Sequence, residues 1–167
     1  RKNEVSGQML RAIINSLQGF DYTLIDCPAG IELGFHRAVS AASEALVVTT
    51  PHISAVKDAG KVIGILGTYK IDARLIVNRV RGDMVLDGEM ASPDDIRQAL
   101  GIPLCGIIPE NDEINALSAN GEKPKSGGNG SKAFSLLCHN IVYGTSDMYD
   151  YTAGYKGIFG GIKRALK

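Results

Sequence analysis

The sequence has few cysteines, no excess of charge of one sign and no long hydrophobic run. Its 167 residues include three cysteines, which are far apart and form no C-x-x-C pair. This pattern does not suit metal or redox chemistry, so we expect reduced, mostly buried thiols in a cytosolic protein. Eighteen basic residues balance eighteen acidic ones, whereas a nucleic-acid-binding domain usually carries a basic excess. The charge balance therefore gives no support for nucleic-acid binding.

The same absences limit how the chain can meet a membrane. No apolar run approaches the ~20 residues that a membrane-spanning helix needs, and residues 1–4 do not resemble a signal peptide. We therefore expect a cytoplasmic protein whose membrane contacts are peripheral. Hydrophobic residues make up 44% of the sequence and charged residues 22%, which is typical of a globular domain with its own core.

Apolar strand-like runs alternate along the chain with stretches of helical period. The predicted strands are Tyr22–Asp26, Ala45–Thr50, Arg74–Asn78 and Leu104–Pro109. The predicted helices are Glu4–Leu17, Phe35–Ala42, Ser54–Leu66, Pro93–Leu100, Glu113–Ala119 and Ser131–Tyr143. Continuous apolar strands in series with helices predict an α/β fold, with a mainly parallel twisted sheet flanked by helices. In such sheets ligands bind beyond the carboxyl ends of the strands.

The first predicted strand carries the strongest sign of chemistry. It ends in Asp26, and Pro28, Ala29 and Gly30 follow as a turn of small residues. A carboxylate at the end of a strand can orient water on Mg²⁺, and such a turn lets the backbone approach a phosphate closely. From these residues alone, an acid that merely caps the next turn is an equal alternative.

The C-terminal residues 155–167 form a basic amphipathic pattern. At about 100° per residue, the apolar face consists of Ile158, Phe159, Ile162, Ala165 and Leu166. The opposite face consists of Lys156, Lys163, Arg164 and Lys167. A short helix of this kind suits reversible binding to an anionic membrane surface, and an ordinary helix packed on the domain is the alternative. Three glycines oppose helix formation in water, so the pattern predicts that ordering waits for the lipid.

Longer motifs carry a family resemblance. The runs DCPAGIE, TTPHISAVKDAG, LIVNRVR and GIIPENDE occur in the order and spacing of the MinD family of P-loop ATPases, within the ParA/MinD class with a deviant Walker motif. The resemblance covers nearly the whole chain from Phe20 onward. It implies a P-loop NTPase-like fold and an ATP-dependent, membrane-associated regulator of division-septum placement. It further implies ATP and Mg²⁺ as ligands, and a homodimer in the ATP-bound state.

The resemblance also assigns roles to individual residues. Asp26 matches the catalytic Walker B acid that holds Mg²⁺ through water, and the turn Pro28, Ala29, Gly30 matches the switch that faces the γ-phosphate. The residues matching the adenine-binding loops are Asn78, Arg79, Pro109 and Glu110. The residues matching the partner-binding helix are Ser54 and Asp58. The residues matching the membrane-targeting helix are Ile158, Phe159, Ile162, Lys163, Arg164 and Leu166. The implied partners are the division inhibitor and the topological-specificity protein of the Min system, and the inner face of the cell membrane.

Some features depart from the family pattern. His52 stands where relatives commonly have Glu, and we assign it no chemistry. No glycine-rich loop with lysines lies between Arg1 and Asp26, so we expect this chain alone to be inactive and to be the C-terminal part of a longer ATPase. The predicted organisation is an incomplete ATPase domain over residues 1–143, a linker over 144–154 and the amphipathic helix over 155–167.

Other functions remain open at this level. A flagellar-number or a chromosome- or plasmid-partitioning ATPase belongs to the same superfamily, although a DNA-binding member would need a basic surface. A natural, non-catalytic binding module without a P-loop belongs to a different class. The presence or absence of a P-loop in the native product separates this last alternative from the ATPase.

Overall fold

The computed structural model describes residues 6–28, 30–112, 114–116 and 127–165. Its strands are β1 (Glu44–Thr49), β2 (Asp72–Val80) and β3 (Leu104–Pro109). Its helices are α1 (Gly7–Ser16), α2 (Leu33–Ala41), α3 (Ile53–Thr68), α4 (Gly82–Leu86), α5 (Pro93–Leu100), α6 (Asn129–Tyr143) and α7 (Gly157–Ala165), with a 3₁₀ turn at Ala153–Tyr155. Helices separate the strands in the chain, as the sequence predicts.

The three strands form one sheet in the order β1-β2-β3. β2 and β3 run parallel, with Leu75 opposite Leu104 and Val77 opposite Ile107. Cys105, Gly106, Ile107 and Ile108 are all buried, as a strand requires when both faces of its sheet are covered. The prediction of an α/β fold with a parallel sheet flanked by helices is confirmed.

The chain divides into two compact units, residues 1–45 with 61–73 and residues 46–60 with 74–167. In the second unit both faces of the sheet are packed. On one face, Leu75 and Val77 lie in a cluster with Ile96 of α5. On the other, Ile76 packs with Ala133 and Leu137 of α6. Successive residues of β2 therefore pack into two different hydrophobic cores, because successive side chains of a strand point to opposite faces of the sheet.

In the first unit, α1 packs against α2. A side chain at Gly7 would collide with the Ser40 side chain, so glycine lets the two helices approach closely here. α2 buries Phe35, Ala38 and Val39. α1 has no buried residue, although Ser6 caps its start by accepting a hydrogen bond from the Met9 amide. Its apolar residues at helical spacing are therefore only partly covered.

The predicted strand Tyr22–Asp26 is wrong. Residues 22–28 have no regular secondary structure, and Tyr22 and Leu24 are 55% and 83% exposed. A strand forms only where a neighbouring strand accepts its backbone hydrogen bonds. None of the three described strands pairs with this run, so its apolar, β-branched composition is not enough to make it a strand.

Elsewhere the predicted helices agree only in part with the described ones. Residues 82–86, which lie in none of the predicted strands or helices, form the short helix α4. Residues 114–116 are helical as predicted, while residues 113 and 117–119 of that predicted helix lie outside the described part. The helix predicted from residue 155 begins at Gly157, after the 3₁₀ turn.

The predicted linker 144–154 has no regular structure over residues 144–150, but it is packed. Met148 and Tyr151 pack against one core of the second unit and Tyr149 packs against the other. Thr152 is buried. The segment therefore lies against the domain along its length.

Candidate functional site

The parallel strands β2 and β3 end at the same edge of the sheet, and the backbone there is irregular. The strand register shifts between Val77 and Val80, and Arg79 adopts a left-handed conformation with φ 59°. Beyond the shift, pairing resumes, because the Glu110 amide donates a 2.9 Å hydrogen bond to the Val80 carbonyl. An irregularity of this kind changes the direction of its side chains relative to those of a regular strand.

An ion pair joins the two strand ends. Arg79 Nε lies 2.7 Å from Glu110 Oε2, and Arg79 Nη2 lies 3.4 Å from Glu110 Oε1. Asn115 Nδ2 donates a third hydrogen bond to Glu110 Oε1 at 3.0 Å. The hydrogen bonds from Arg79 and then Asn115 lower the pKa of Glu110 from its ordinary value, and the hydrogen bond to Glu110 raises the pKa of Arg79. Glu110 is therefore held as a fixed carboxylate.

These strand ends line a cavity of about 310 Å³, comparable to the lower range of small-molecule sites. Its lining residues are Asn78, Arg79, Pro109, Glu110, Asn111, Ile114 and Asn115. The structure thus brings together all four residues that the sequence assigns to adenine binding. Pro109 and Ile114 supply apolar surface for a flat ring, while the remaining side chains are polar.

Asn78 has the hydrogen-bonding capacity that adenine recognition needs. Its Oδ1 accepts a 2.9 Å hydrogen bond from the Arg79 amide, which fixes the side-chain amide and stabilises the left-handed Arg79. A carboxamide oxygen can accept a second hydrogen bond, and its nitrogen can donate two. The group can therefore accept from the N6 amino group of adenine and donate to a ring nitrogen, the pairing that Asn makes with this base elsewhere.

The residues predicted to face phosphate and Mg²⁺ lie in the first unit. Asp26 and Pro28 are exposed, and Gly30 adopts φ +89°, which confirms a turn at this point. A side chain at Gly34 would meet Pro28 Cγ at 2.8 Å, so the turn leads closely into the start of α2. The expectation of mostly buried thiols is wrong, because Cys27 and Cys138 are exposed while Cys105 is buried. Partial desolvation and the neighbouring Asp26 carboxylate raise the pKa of the Cys27 thiol. Ala29 lies outside the described residues.

Ser54 and Asp58 lie one turn apart on α3 and are both exposed, as a partner-binding face requires. His52 is exposed immediately before the helix, and its carbonyl accepts the hydrogen bond of the Val56 amide. Within the described part of the chain, His52 makes no side-chain contact that would indicate chemistry.

The membrane-facing prediction can be placed only in part. Ile162 lies on α7 and is 51% exposed. The side chains of Ile158, Phe159, Lys163 and Arg164, and the whole of Leu166, lie outside the described residues. In the described ranges, no helix combines the length and the apolar character that crossing a bilayer demands.

The chain is similar in sequence to curated septum site-determining proteins. It is 45% identical over 123 residues to MinD of Synechocystis sp., an alignment that covers 72% of this chain and 46% of the relative. It is 44% identical over 124 residues to MinD of Bacillus subtilis, with the same two coverages. The chain thus spans about half the length of these relatives. No protein-family model matches it.

Solved structures agree with the sequence similarity. The MinD cell division protein of Aquifex aeolicus matches with a TM-score of 0.76 and 36% identity, over 84% of this chain and 60% of that one. The MinC:MinD complex of the same organism matches with a TM-score of 0.75 and 36% identity, over 84% and 59%. MinD of Pyrococcus horikoshii, complexed with Mg-ADP, matches with a TM-score of 0.71 and 30% identity, over 82% and 57%.

The chain belongs to the MinD family. The family resemblance derived from the motifs is therefore confirmed, together with the P-loop NTPase-like fold. The described residues contain no group of three or more His, Cys, Asp or Glu side chains that converge on one point.

One residue of the site was missed by the sequence reasoning. Asn115 holds Glu110 from the residues that follow β3, and it also lines the cavity. Its position five residues after Glu110, in a short helical stretch, forms no motif. Only the fold shows that this MinD-family loop turns back on itself.

Proposed function

We propose that the chain forms part of a MinD-type ATPase that regulates placement of the division septum, and that the cavity at Asn78 and Glu110 holds the adenine of its nucleotide. The geometry of the cavity carries this proposal. A carboxamide with free hydrogen-bonding capacity lies beside a proline surface and a fixed ion pair, at the carboxyl edge of a parallel sheet. The Mg-ADP complex of the Pyrococcus horikoshii relative supports the choice of nucleotide.

Asp26 and the turn at Gly30 are the residues proposed to act on the phosphates. Asp26 would orient a water molecule in the Mg²⁺ shell, and the turn at Gly30 would place backbone amides near the γ-phosphate. Mg²⁺, when bound, neutralises charge on the phosphates during transfer. Residues 1–26 contain no glycine-rich, lysine-bearing loop, so we expect that the 167-residue chain by itself does not hydrolyse ATP.

The same proposal includes a dimer, partners and a membrane. ATP binding pairs two copies, and each contributes one weak basic anchor at α7, so that two anchors together attach the dimer to the inner face of the cell membrane. The exposed Ser54 and Asp58 on α3 contact partner proteins. The match to a MinC:MinD complex supports a division inhibitor as one of them. The topological-specificity protein of the Min system is the second proposed partner.

The first experiment is the intact mass and N-terminal sequence of the product that the native cell makes. A longer product with a glycine-rich lysine loop is expected, and it should hydrolyse ATP. Its Asp26→Asn variant should lose hydrolysis while keeping nucleotide binding, because the substitution removes the Mg²⁺-shell carboxylate alone. A native product that starts near Arg1 and does not hydrolyse ATP would contradict the ATPase proposal and would favour a non-catalytic binding module.

A further inference from the structure

The Glu110 carboxylate is held from two sides, by donors of different chemistry. From β2, Arg79 holds Oε2 through Nε at 2.7 Å but reaches Oε1 through Nη2 only at 3.4 Å. From the residues after β3, Asn115 Nδ2 donates the shorter hydrogen bond to Oε1, at 3.0 Å. The Arg79 side chain is 64% exposed, and an ion pair in contact with water does little by itself to fix a geometry. The neutral donor of Asn115 therefore restrains the oxygen that Arg79 holds less well.

The backbone of Asn115 is itself anchored. Its amide donates a 3.1 Å hydrogen bond to the Asn111 carbonyl, with the spacing of a helical turn. The preceding residue, Ile114, packs against the core on the α6 face of the sheet. A side chain at Gly130, near the start of α6, would meet Ile114 Cγ1 at 2.7 Å, so glycine lets α6 begin directly against this residue. Asn115 therefore reaches Glu110 from a position that the core fixes.

The restraint extends from Glu110 to the side chain proposed to contact the base. Glu110 holds the guanidinium of Arg79, whose backbone is left-handed with φ 59°. The amide of the same residue donates to Asn78 Oδ1 at 2.9 Å. Asn78, Arg79, Glu110 and Asn115 all line the same cavity. Asn115 is thus the first member of a chain of contacts that ends at the carboxamide of Asn78.

From these contacts we propose that Asn115 is a positioning residue of the nucleotide site, which fixes the Glu110 carboxylate. The carboxylate in turn restrains Arg79 and, through its amide, Asn78. This role rests on the proposed function, because the ligand that the cavity would hold is an adenine nucleotide. Asn115 keeps the polar side of the cavity arranged before the ligand arrives, so that less ordering accompanies binding. Its loss should weaken nucleotide binding without slowing the chemical step.

The first measurement needs no nucleotide. In the 167-residue chain, NMR of the side-chain carboxyl carbon reports the pKa of Glu110. Hydrogen bonds from Arg79 and then Asn115 lower this pKa, and the charge of Arg81 lowers it further. Asn115→Leu keeps a similar volume without the donor and should raise the pKa, whereas Asn15→Leu, at an exposed position of α1, should not change it. An unchanged pKa in the Asn115 variant overturns the proposed role.

The second measurement is steady-state hydrolysis by the native-length product. Asn115→Leu should raise the KM for ATP by about 3- to 10-fold, the loss expected for one hydrogen bond, with kcat unchanged. Asn15→Leu should change neither constant. A KM for the Asn115 variant equal to that of the unsubstituted protein overturns the proposed role, and so does an equal rise in the control.

Asn115→Asp distinguishes a hydrogen-bond donor from a side chain that only fills space. At neutral pH its carboxylate repels Glu110, so the affinity for Mg-ADP should fall further than in the Leu variant. A protonated carboxyl can donate to Glu110 Oε1 as the amide does, while Arg79 keeps Glu110 ionised. As the pH falls from about 8 towards about 5, the Asp variant should therefore regain affinity relative to the unsubstituted protein, and the Leu variant should not. A relative affinity of the Asp variant that is the same at both pH values overturns the proposed role.

These measurements keep the two proposals apart. A native-length protein that binds neither ATP nor ADP refutes the proposed function, and the Glu110 titration in the 167-residue chain then decides by itself whether Asn115 sets the carboxylate. Nucleotide binding that is unaffected by Asn115→Leu refutes the positioning role alone.

Discussion

Arg79 shows how a strained residue can organise a binding site. A left-handed conformation costs a residue with a side chain roughly 1–2 kcal/mol, and here three neighbouring contacts hold it. The Asn78 side chain accepts its amide hydrogen, and Glu110 holds its guanidinium. The conformation turns Asn78 and Arg79 out of the strand pattern and into the cavity. Strain of this kind is common where a ligand is held.

The ion pair predicts a pH dependence of stability. The pKa of Glu110 is lowered in the folded chain, from an ordinary value of 4.5, mainly by the hydrogen bond from Arg79. Its stabilising contribution is therefore present above that ordinary value and is lost as the pH falls through the lowered pKa. Urea unfolding should show Glu110→Gln less stable than the unsubstituted chain at pH 7, and this difference in stability should shrink as the pH falls through the lowered pKa of Glu110.

The matched control for this experiment is Glu89→Gln. Glu89 is exposed after α4 and makes no salt bridge within the described part of the chain. Its substitution should leave the midpoint at pH 7 nearly unchanged. A difference between the Glu110 variant and the unsubstituted chain that persists unchanged into acid would mean that the carboxylate charge is not what stabilises the loop.

Asn78 carries a prediction for the proposed nucleotide site. In the native-length product, Asn78→Ala should raise the KM for ATP by about 10- to 100-fold, the range expected for one bidentate contact to a base. kcat should change little, because the base is held equally in the ground state and the transition state. Asn15→Ala, at an exposed asparagine of α1, is the control. An unchanged KM in the Asn78 variant would remove the adenine assignment of the cavity.

At the scale of elements, local chemical signals predicted boundaries well. α5 begins and ends where expected, because Ser92 and Asp95 form a reciprocal capping box, Pro93 opens the helix and Gly101 closes it with φ 68°. β3 also has its predicted bounds. Each of these signals acts within a few residues, so it can be read directly from the sequence.

The incorrect predictions concern structure that depends on contacts between different elements of the chain. Residues 22–26 have the composition of a strand and lack a paired neighbour in the described sheet. The packing of residues 144–154 depends on Asn140, which looks like any polar residue of an amphipathic helix until Cys105 and Asp147 are placed around it. The four cavity residues were found because motifs named them, whereas Asn115 had no such signal.

The α7 element carries its own prediction. Replacing both Phe159 and Ile162 with Asp should abolish co-sedimentation of the native-length protein with anionic vesicles, because it places charge on the apolar face. Ile53→Asp is a control for placing a charge on an exposed apolar position away from α7, since Ile53 is 75% exposed on α3. Unchanged sedimentation of the double variant would leave α7 as an ordinary terminal helix.

At the scale of the whole molecule, the balanced charge of the chain matters as much as any single contact. With eighteen basic and eighteen acidic residues, general electrostatic attraction to an anionic bilayer is weak. The proposed membrane attachment would therefore depend on the local basic face of the tail, where the segment 153–167 has no acidic residue. One such anchor would give only weak, reversible binding to the membrane. A switch to stable attachment would therefore need two anchors on one assembly.

Artificial dimerisation tests the pairing of two anchors without ATP. If two weak anchors act together, fusing a parallel coiled coil to the N-terminus of this 167-residue chain should raise its affinity for anionic vesicles by about 10²-fold or more, without any nucleotide. The same fusion carrying the two Asp substitutions in α7 should not bind, and neither fusion should bind neutral vesicles, since the tail relies on charge as well as on apolar area. Equal binding by the monomer and the dimer would mean that one tail suffices, and nucleotide-driven pairing would then have to act on something other than membrane attachment. A large gain in affinity would place the switch in the number of anchors.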